Sequence, residues 1–571
     1  MSRPILRAAL LGGLLGLAAC ASHPIRPWQY DPRPMADTLA IREPIERETS
    51  LVYDQVEGVV SGLGRAFSLT RKSGLPPALN ADPFDEVVNS AWFTNRNGRE
   101  RLSAEAIRRG PGAAEGPDQS APVTVKSIKV EGVSPGFDIE DAAGDRYILK
   151  FDPPDHWEMA SGAEVVATNL FWAAGYHVPE NYVFYLDPSN LVLDEDLEAT
   201  FQEGDSLVRY STTPSPGERE LTMEIFRRNI LERFPRTADG RIRAMASKFL
   251  EGIPKGPFAY AGIRGDDPND VIPHEHRREL RGLYVIAAWL NHVDAKQGNS
   301  LDMFILDERS PEEGPGIGHL RHNLLDFGST LGSAAVRPHN FRHGTEREFD
   351  AGPVLLRFIT LGIYERPWQD VDMDTLRFPP SIGYYSIDNF SPGDWRTNTV
   401  NPAFINRTDR DGYWGAKIVM SFTDEQLDAA VAAGQYSDPR AAQYLLEELK
   451  KRRDATGRYW FREVSPLDEP RVEGNSLVFD DLWIRHFGGP ADYLWKLEWD
   501  APDPDLESEG TASTASIPLP TPSAGVRASG DDAYARLEVW KVWEAGEEAE
   551  RPATIWLAPE GGAWKVVGVR Y

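Results

Sequence analysis

One cysteine, Cys20, is all that 571 residues contain. A lone thiol forms no intrachain disulfide, so the chain must be held together by its own packed core. Positive charge is scarce as well, with 61 Lys and Arg against 88 Asp and Glu and a net charge of −27. A surface of that sign repels nucleic acid and anionic headgroups unless a local basic patch is present, which argues against a nucleic-acid binder. No internal repeat is evident. The apolar run at the amino terminus, residues 8–17, is too short to cross a bilayer as a mature helix.

That run has a different meaning. Arg3 and Arg7 precede it, and Leu17-Ala18-Ala19-Cys20 ends it. Basic start, apolar centre and small residues before a cleavage point are the pattern of a secretory signal. Together with the cysteine, the segment resembles the lipobox of bacterial lipoproteins, which implies removal of residues 1–19 and acylation of Cys20. Several acyl chains, at about 0.8 kcal/mol per buried methylene, make a durable anchor. Losing Arg3 and Arg7 takes the net charge from −27 to −29. By analogy with lipoprotein sorting, Ala21 in place of an aspartate points to the outer membrane, with the body periplasmic or surface-facing.

Composition divides the rest. Residues 20–45, rich in Pro and Arg, suit a lipid-anchored tether. An extension over 46–120 follows, holding the polar stretch WFTNRNG at 92–98, to which no chemistry attaches. From Val123 short strands are predicted, VTVKSIKVEGV, FDIEDAAGD and RYILKF, then a helix over 161–175 with a capping Ser161 and a terminal Gly175, and a strand VPENYVFYL. Helices are predicted over 217–234, 238–250, 274–292, 423–434 and 438–461. Strands over 300–307 and 319–326 interrupt them. Residues 502–529, rich in Pro, Ser, Thr and acidic residues, read as a linker or long loop within 491–571, and alternating strands close the chain as a small antiparallel sheet. The expected fold class is α+β.

Chemistry concentrates where the helix predicted over 274–292 ends. The helix runs into His292-Val293-Asp294-Ala295-Lys296-Gln297-Gly298-Asn299, and a hairpin then leads to Leu324-Leu325-Asp326-Phe327-Gly328. At these residues the chain resembles the protein kinase-like superfamily, whose catalytic loop H-x-D-x-K-x-x-N follows a helix and precedes a hairpin ending in D-F-G. The resemblance implies a two-lobed domain over 121–490, with a β-rich lobe over about 121–190 and a mainly helical lobe over about 191–490. It also implies ATP with Mg²⁺ (or Mn²⁺) as the nucleotide and metal. Asp294 would be the catalytic aspartate and Lys296 a phosphate-side lysine. Asn299 and Asp326 would be metal ligands, and His292 a packing residue.

Such a site also needs a strand lysine for the α and β phosphates and a helix carboxylate to hold it. Lys150 and Glu164 fit that order, with Glu158 as the second candidate for the carboxylate. The phosphate loop departs from G-x-G-x-x-G: only Gly132, Ser134 and Gly136 stand between the first two strands. That departure favours divergent relatives, HipA-like, phosphoinositide kinase-like or secreted kinase-like, over a standard protein kinase. The insertion between Glu308 and Gly318 is expected to loop out at the hairpin tip.

Two hydrolase readings fail on physical grounds. Residues 132–136 also spell G-x-S-x-G, but Pro135 has no N–H for an oxyanion hole, and the flanking pattern is strand-turn-strand. Zinc would require His274, His276, His292, His319 and His322 to converge, and their local spacing scatters them. Most are expected at the surface or as caps. The implied activity is transfer of a phosphoryl or nucleotidyl group from ATP to a protein or small-molecule acceptor. The alternative is a catalytically inactive, pseudokinase-like scaffold, because an exported protein does not ordinarily meet cytoplasmic ATP.

Overall fold

The computed structural model describes residues 33–47, 75–112, 116–129, 136–311, 314–348, 356–361, 363–366, 368, 376–499, 507–522, 534–543 and 546–571. Cys20, the signal segment, Gly132 and Ser134 lie outside the described residues. The fold class is α+β, as the mixture of patterns predicts.

The first sheet is built from β1 (Val123–Lys129), β2 (Gly136–Glu140), β3 (Arg146–Phe151), β4 (Asn181–Leu186), β5 (Leu191–Leu193) and β6 (Ile242–Lys248), in the order β4-β6-β3-β2-β1-β5. All neighbours are antiparallel except β1 and β5. Alternation along β3 turns Tyr147, Leu149 and Phe151 into a core shared with Phe137, Phe184 and Phe226. The same alternation sends Lys150 to the opposite face. There α1 (Met159–Ala174) packs, and Val165 meets Val183 and Met245. Every residue of α1 but Trp172 is buried. Such a helix is held by packing on all sides.

β6 corrects the expected helix over 238–250. All of Ile242–Ala246 is buried, so both strand faces are covered and the period-two signal vanishes. Because β6 lies between β4 and β3, the sheet draws on the chain as far as Lys248, beyond residue 190. The helix expected over 217–234 shrinks to Met223–Asn229, capped by Thr222.

Below the sheet, α2 (Arg278–Leu290) is buried along its whole length and ends on Asn291, whose φ of 54° is left-handed. β7 (Ser300–Leu306) and β8 (Ile317–Leu324) form the predicted hairpin, with Leu306 opposite Gly318, so the insertion lies at its tip. Helices α3 (Asp409–Ser421), α4 (Asp424–Ala433) and α5 (Pro439–Glu463) follow. Thr423 caps α4 in a capping box and Asp438 caps α5.

Three further expectations change. The tether ends well before residue 45: the Ala36 carbonyl accepts from the Ala91 N–H at 2.9 Å, Asp37 pairs with buried Arg277, and Ile41–Arg42 adds a strand to β8. Those partners stand far along the chain, where no local pattern reveals them. Within 502–529, the strands Ser508–Ala512 and Ser516–Pro518 form by backbone pairing to Asp492–Trp499 and Ser476–Asp481, which needs no side-chain pattern. The terminal five-stranded sheet shares a continuous apolar core with the helices, through residues such as Leu537, Ile555 and Tyr571.

Candidate functional site

Lys150 is the hub of the site. Its Nζ lies 3.0 Å from Glu164 Oε1 and 3.0 Å from Asp326 Oδ1. β3 supplies the lysine, α1 the glutamate and the residue pair after β8 the aspartate. Burial opposes the lysine's charge, but the two carboxylates outweigh it and hold its pKa above the usual lysine value. The Glu164 side chain is 5% exposed and that of Asp326 51%, so the ammonium joins a buried anchor to a solvent-facing carboxylate. Glu158 is excluded as the lysine's partner. It lies at the amino end of α1 and accepts from the Ser437 N–H at 2.9 Å.

The loop after α2 is organised around Asp294. Asn299 Nδ2 donates to the Asp294 carbonyl at 2.9 Å and to its Oδ2 at 3.0 Å, and Lys296 Nζ stands 3.0 Å from the same Oδ2. The Asn299 carbonyl in turn accepts the Leu325 N–H at 2.9 Å. One hydrogen bond therefore ties the loop to the residue before Asp326. Asp326 has φ 58°, an uncommon conformation for a residue other than glycine and one that clusters at functional sites.

Aromatic rings set the floor. Phe327 is fully buried, stacked on Phe171 of α1 with centroids 4.8 Å apart, and His292 lies 5.6 Å from both rings. Burial pushes the His292 imidazole below the usual histidine pKa, against the pull of Asp294. A neutral packing residue is what those contacts describe. A Cβ at Gly328 would stand 3.3 Å from Glu164 Oε2, which keeps that position small.

No family model, no curated protein and no solved structure matches this chain. The geometry therefore carries the functional argument by itself.

Of the predicted phosphate-loop residues only Gly136 is described. It opens β2 opposite both Lys129 and Lys150, and a Cβ there would stand 2.1 Å from the Leu149 carbonyl oxygen, so glycine is required for close strand packing. The antiparallel pairing of β1 with β2 agrees with strand-turn-strand. The histidines do not converge: among the described residues no cluster of three metal-ligating side chains occurs. His274, His292 and His322 differ from expectation in being buried, whereas His276 and His319 are half-buried. His274 Nε2 pairs with Asp270 at 2.7 Å, and His322 Nδ1 pairs with Asp302 at 2.6 Å while stacking on Trp92.

Sequence reasoning missed the residues that position α1. Ser161 is no cap; its N–H and hydroxyl both donate to Asp152, at 2.8 and 2.6 Å, and Arg243 of β6 donates to its hydroxyl at 2.9 Å. Phe171 was equally hidden, since an apolar residue in an apolar helix carries no signal of which ring it meets. Asn291 had a usable signal, being a left-handed-tolerant residue between the helix and His292.

The donor set suits magnesium. Asn299 spends its amide hydrogens on Asp294, and its Oδ1 accepts no hydrogen bond among the described residues. One amide oxygen and one carboxylate are a small set, and Mg²⁺ is ordinarily bound by one or two protein oxygens with phosphates and water completing its shell.

Proposed function

We propose that this protein is a divergent, kinase-like lipoprotein of the cell envelope, with a two-lobed domain that transfers a phosphoryl group from ATP to a hydroxyl of a protein or small-molecule acceptor. The observation that carries the reading is the Lys150 ammonium held between Glu164 and Asp326. A cation so fixed, and facing a half-exposed carboxylate, is suited to bind phosphate oxygens beside a metal.

The roles follow from the contacts. Asp294 orients the acceptor hydroxyl and takes its proton as the oxygen attacks the γ-phosphorus and the bond to the β-phosphate oxygen breaks. Lys296, paired with Asp294, supplies positive charge next to the transferred group. Asn299 and Asp326 would hold magnesium, which neutralises phosphate charge when bound. Lys150 fixes the phosphates, Glu164 fixes Lys150, and His292 with Phe327 keeps the loop and the strand end in register. Acylated Cys20 would anchor this body to the outer membrane.

The compartment favours a second reading, a nucleotide-binding scaffold without turnover, because an exported site meets little ATP. Thermal unfolding with ATP and Mg²⁺, run beside a phosphotransfer assay on envelope extract, separates the two. A metal-dependent rise in midpoint with label transfer is the expected result; a rise without transfer supports the scaffold. Absence of any nucleotide or metal effect removes both.

A further inference from the structure

The stretch 92–98, which the phosphotransfer reading leaves unused, forms one wall of a separate cavity of about 260 Å³. Its backbone is pinned. Thr94 and Asn97 donate their N–H groups to the carbonyls of Gly175 and Ala173 at 2.9 and 3.1 Å, and the Asn97 side chain exchanges hydrogen bonds with Gln426 of α4. Trp414, Lys417 and Ile418 of α3 form the facing wall, and the short helix Leu482–Phe487 contributes Arg485 and His486.

In a protein of net charge −27 this cavity is cationic. Arg96, Arg99, Arg101, Lys417 and Arg485 line it against Glu86, Asp468 and Glu469. Lys417 is already held between Glu86 and Asp468, and Arg485 pairs with Asp480. Among the described residues no carboxylate pairs with Arg96, Arg99 or Arg101. Arg96 is the most constrained of the three. It donates to the carbonyls of Trp172 and Tyr176 at 2.8 and 3.1 Å, and its guanidinium lies over the Trp172 ring. Burial alone lowers its pKa to about 10, with no counter-charge to offset it. A half-buried cation without a counter-charge is costly, and arginines on one cavity repel one another.

We propose that this cavity is a binding site for a small phosphate monoester, with Arg96 at its inner wall and Arg99 and Arg101 at its mouth. Planar guanidinium groups bond phosphate oxygens in pairs, and a group bearing nearly two negative charges matches arginines without a carboxylate partner better than a monoanion does. Phe93, Trp414 and Phe461 give an apolar surface for a short carbon body. The space equals roughly nine water volumes at about 30 Å³ each, and lies below the roughly 300–1,000 Å³ of pockets for larger ligands. That room suits a phosphate on a few carbons. This inference does not depend on the phosphotransfer reading.

Titration calorimetry on the full chain with glycerol 3-phosphate and inorganic phosphate, at ionic strength matched with chloride, tests it. Saturable binding is expected, weakened at least tenfold in R99A/R101A, whose side chains are exposed so that the fold is retained. R227A/R228A removes the same charge from the exposed face of helix Met223–Asn229 and should bind like the parent. Dihexanoyl phosphatidic acid in a parallel titration decides the source, since tighter binding than glycerol 3-phosphate assigns the phosphate to a lipid and weaker binding to a free metabolite. No saturable heat from the parent protein, or equal losses in the two double variants, overturns the site.

Discussion

The ring of Phe327 lies nearly parallel to that of Phe171, 29° between planes, which fastens the residue after Asp326 to the helix that carries Glu164. Movement of α1 therefore displaces both carboxylates around Lys150 together. Phe327→Ala removes this contact from a fully buried position and should cost about 3–5 kcal/mol of stability by denaturant unfolding. Phe327→Leu should cost less than half of that. Equal stability of the alanine variant and the parent would sink the claim that this ring locks the site.

Lys150 and Glu164 form a pair that is sheltered at both ends. Lys150→Met leaves Glu164 buried without its cation, at an expected cost of about 3 kcal/mol. Adding Glu164→Gln should recover part of that loss, although Asp326 still lacks the Lys150 ammonium. A double-mutant cycle on unfolding free energy reads the coupling, and strictly additive effects would contradict it.

Asp326 and Asp294 should divide binding from turnover. With Asp326→Asn, the magnesium-dependent part of nucleotide binding is expected to vanish in a thermal-shift titration. With Asp294→Asn, binding should persist while phosphotransfer falls by two orders of magnitude or more. Normal turnover in the Asp294 variant removes the catalytic assignment.

Acid should weaken the fold through its histidines. Burial lowers His177 and His343 to about 4, whereas an unfolded histidine titrates near about 6.5. Below pH 6.5 the unfolded chain takes up protons that the folded chain refuses. Stability is thus retained above pH 6.5 and lost as pH falls towards 4, by up to roughly 3 kcal/mol for each group. Asp37, lifted by burial to about 6, has the opposite slope, as do Asp152 and Asp267, while burial lowers His276, His292, His319, His339 and His486 as well. Unfolding free energies at pH 7, 6, 5 and 4 check the sign, and His343→Asn should flatten the curve.

The anchor makes a separate prediction. Cys20→Ser should move the protein from the detergent-soluble membrane fraction to the aqueous one and abolish labelling by a radioactive or alkyne-bearing fatty acid. Continued labelling of the serine variant would refute acylation at this residue.

The candidate site was legible where its residues follow one another in local order. Asp294, Lys296 and Asn299 fall on one loop, Asp326 follows after one hairpin, and caps such as Thr423, Asp438 and Gly175 mark helix ends with their own side chains or backbone. What stayed hidden depends on distant partners. Nothing near Asp37 announces Arg277, and nothing near Ile41 announces Gly318. β6 was misread because burial on both faces erases alternation, and the buried histidines because their carboxylates come from other turns and strands.

The early docking of the chain also sets a distance. Ala36 is already bound to Ala91, so 15 residues would separate an acylated Cys20 from the fixed body, and the last three of them belong to the helix Arg33–Ala36. Stretched at about 3.4 Å per residue as far as that helix, such a leash would reach about 45 Å. If Cys20 is acylated, the body is confined to a shell no thicker than that above its bilayer. Under the proposed phosphotransfer, acceptors would then be membrane neighbours or molecules that diffuse within that range.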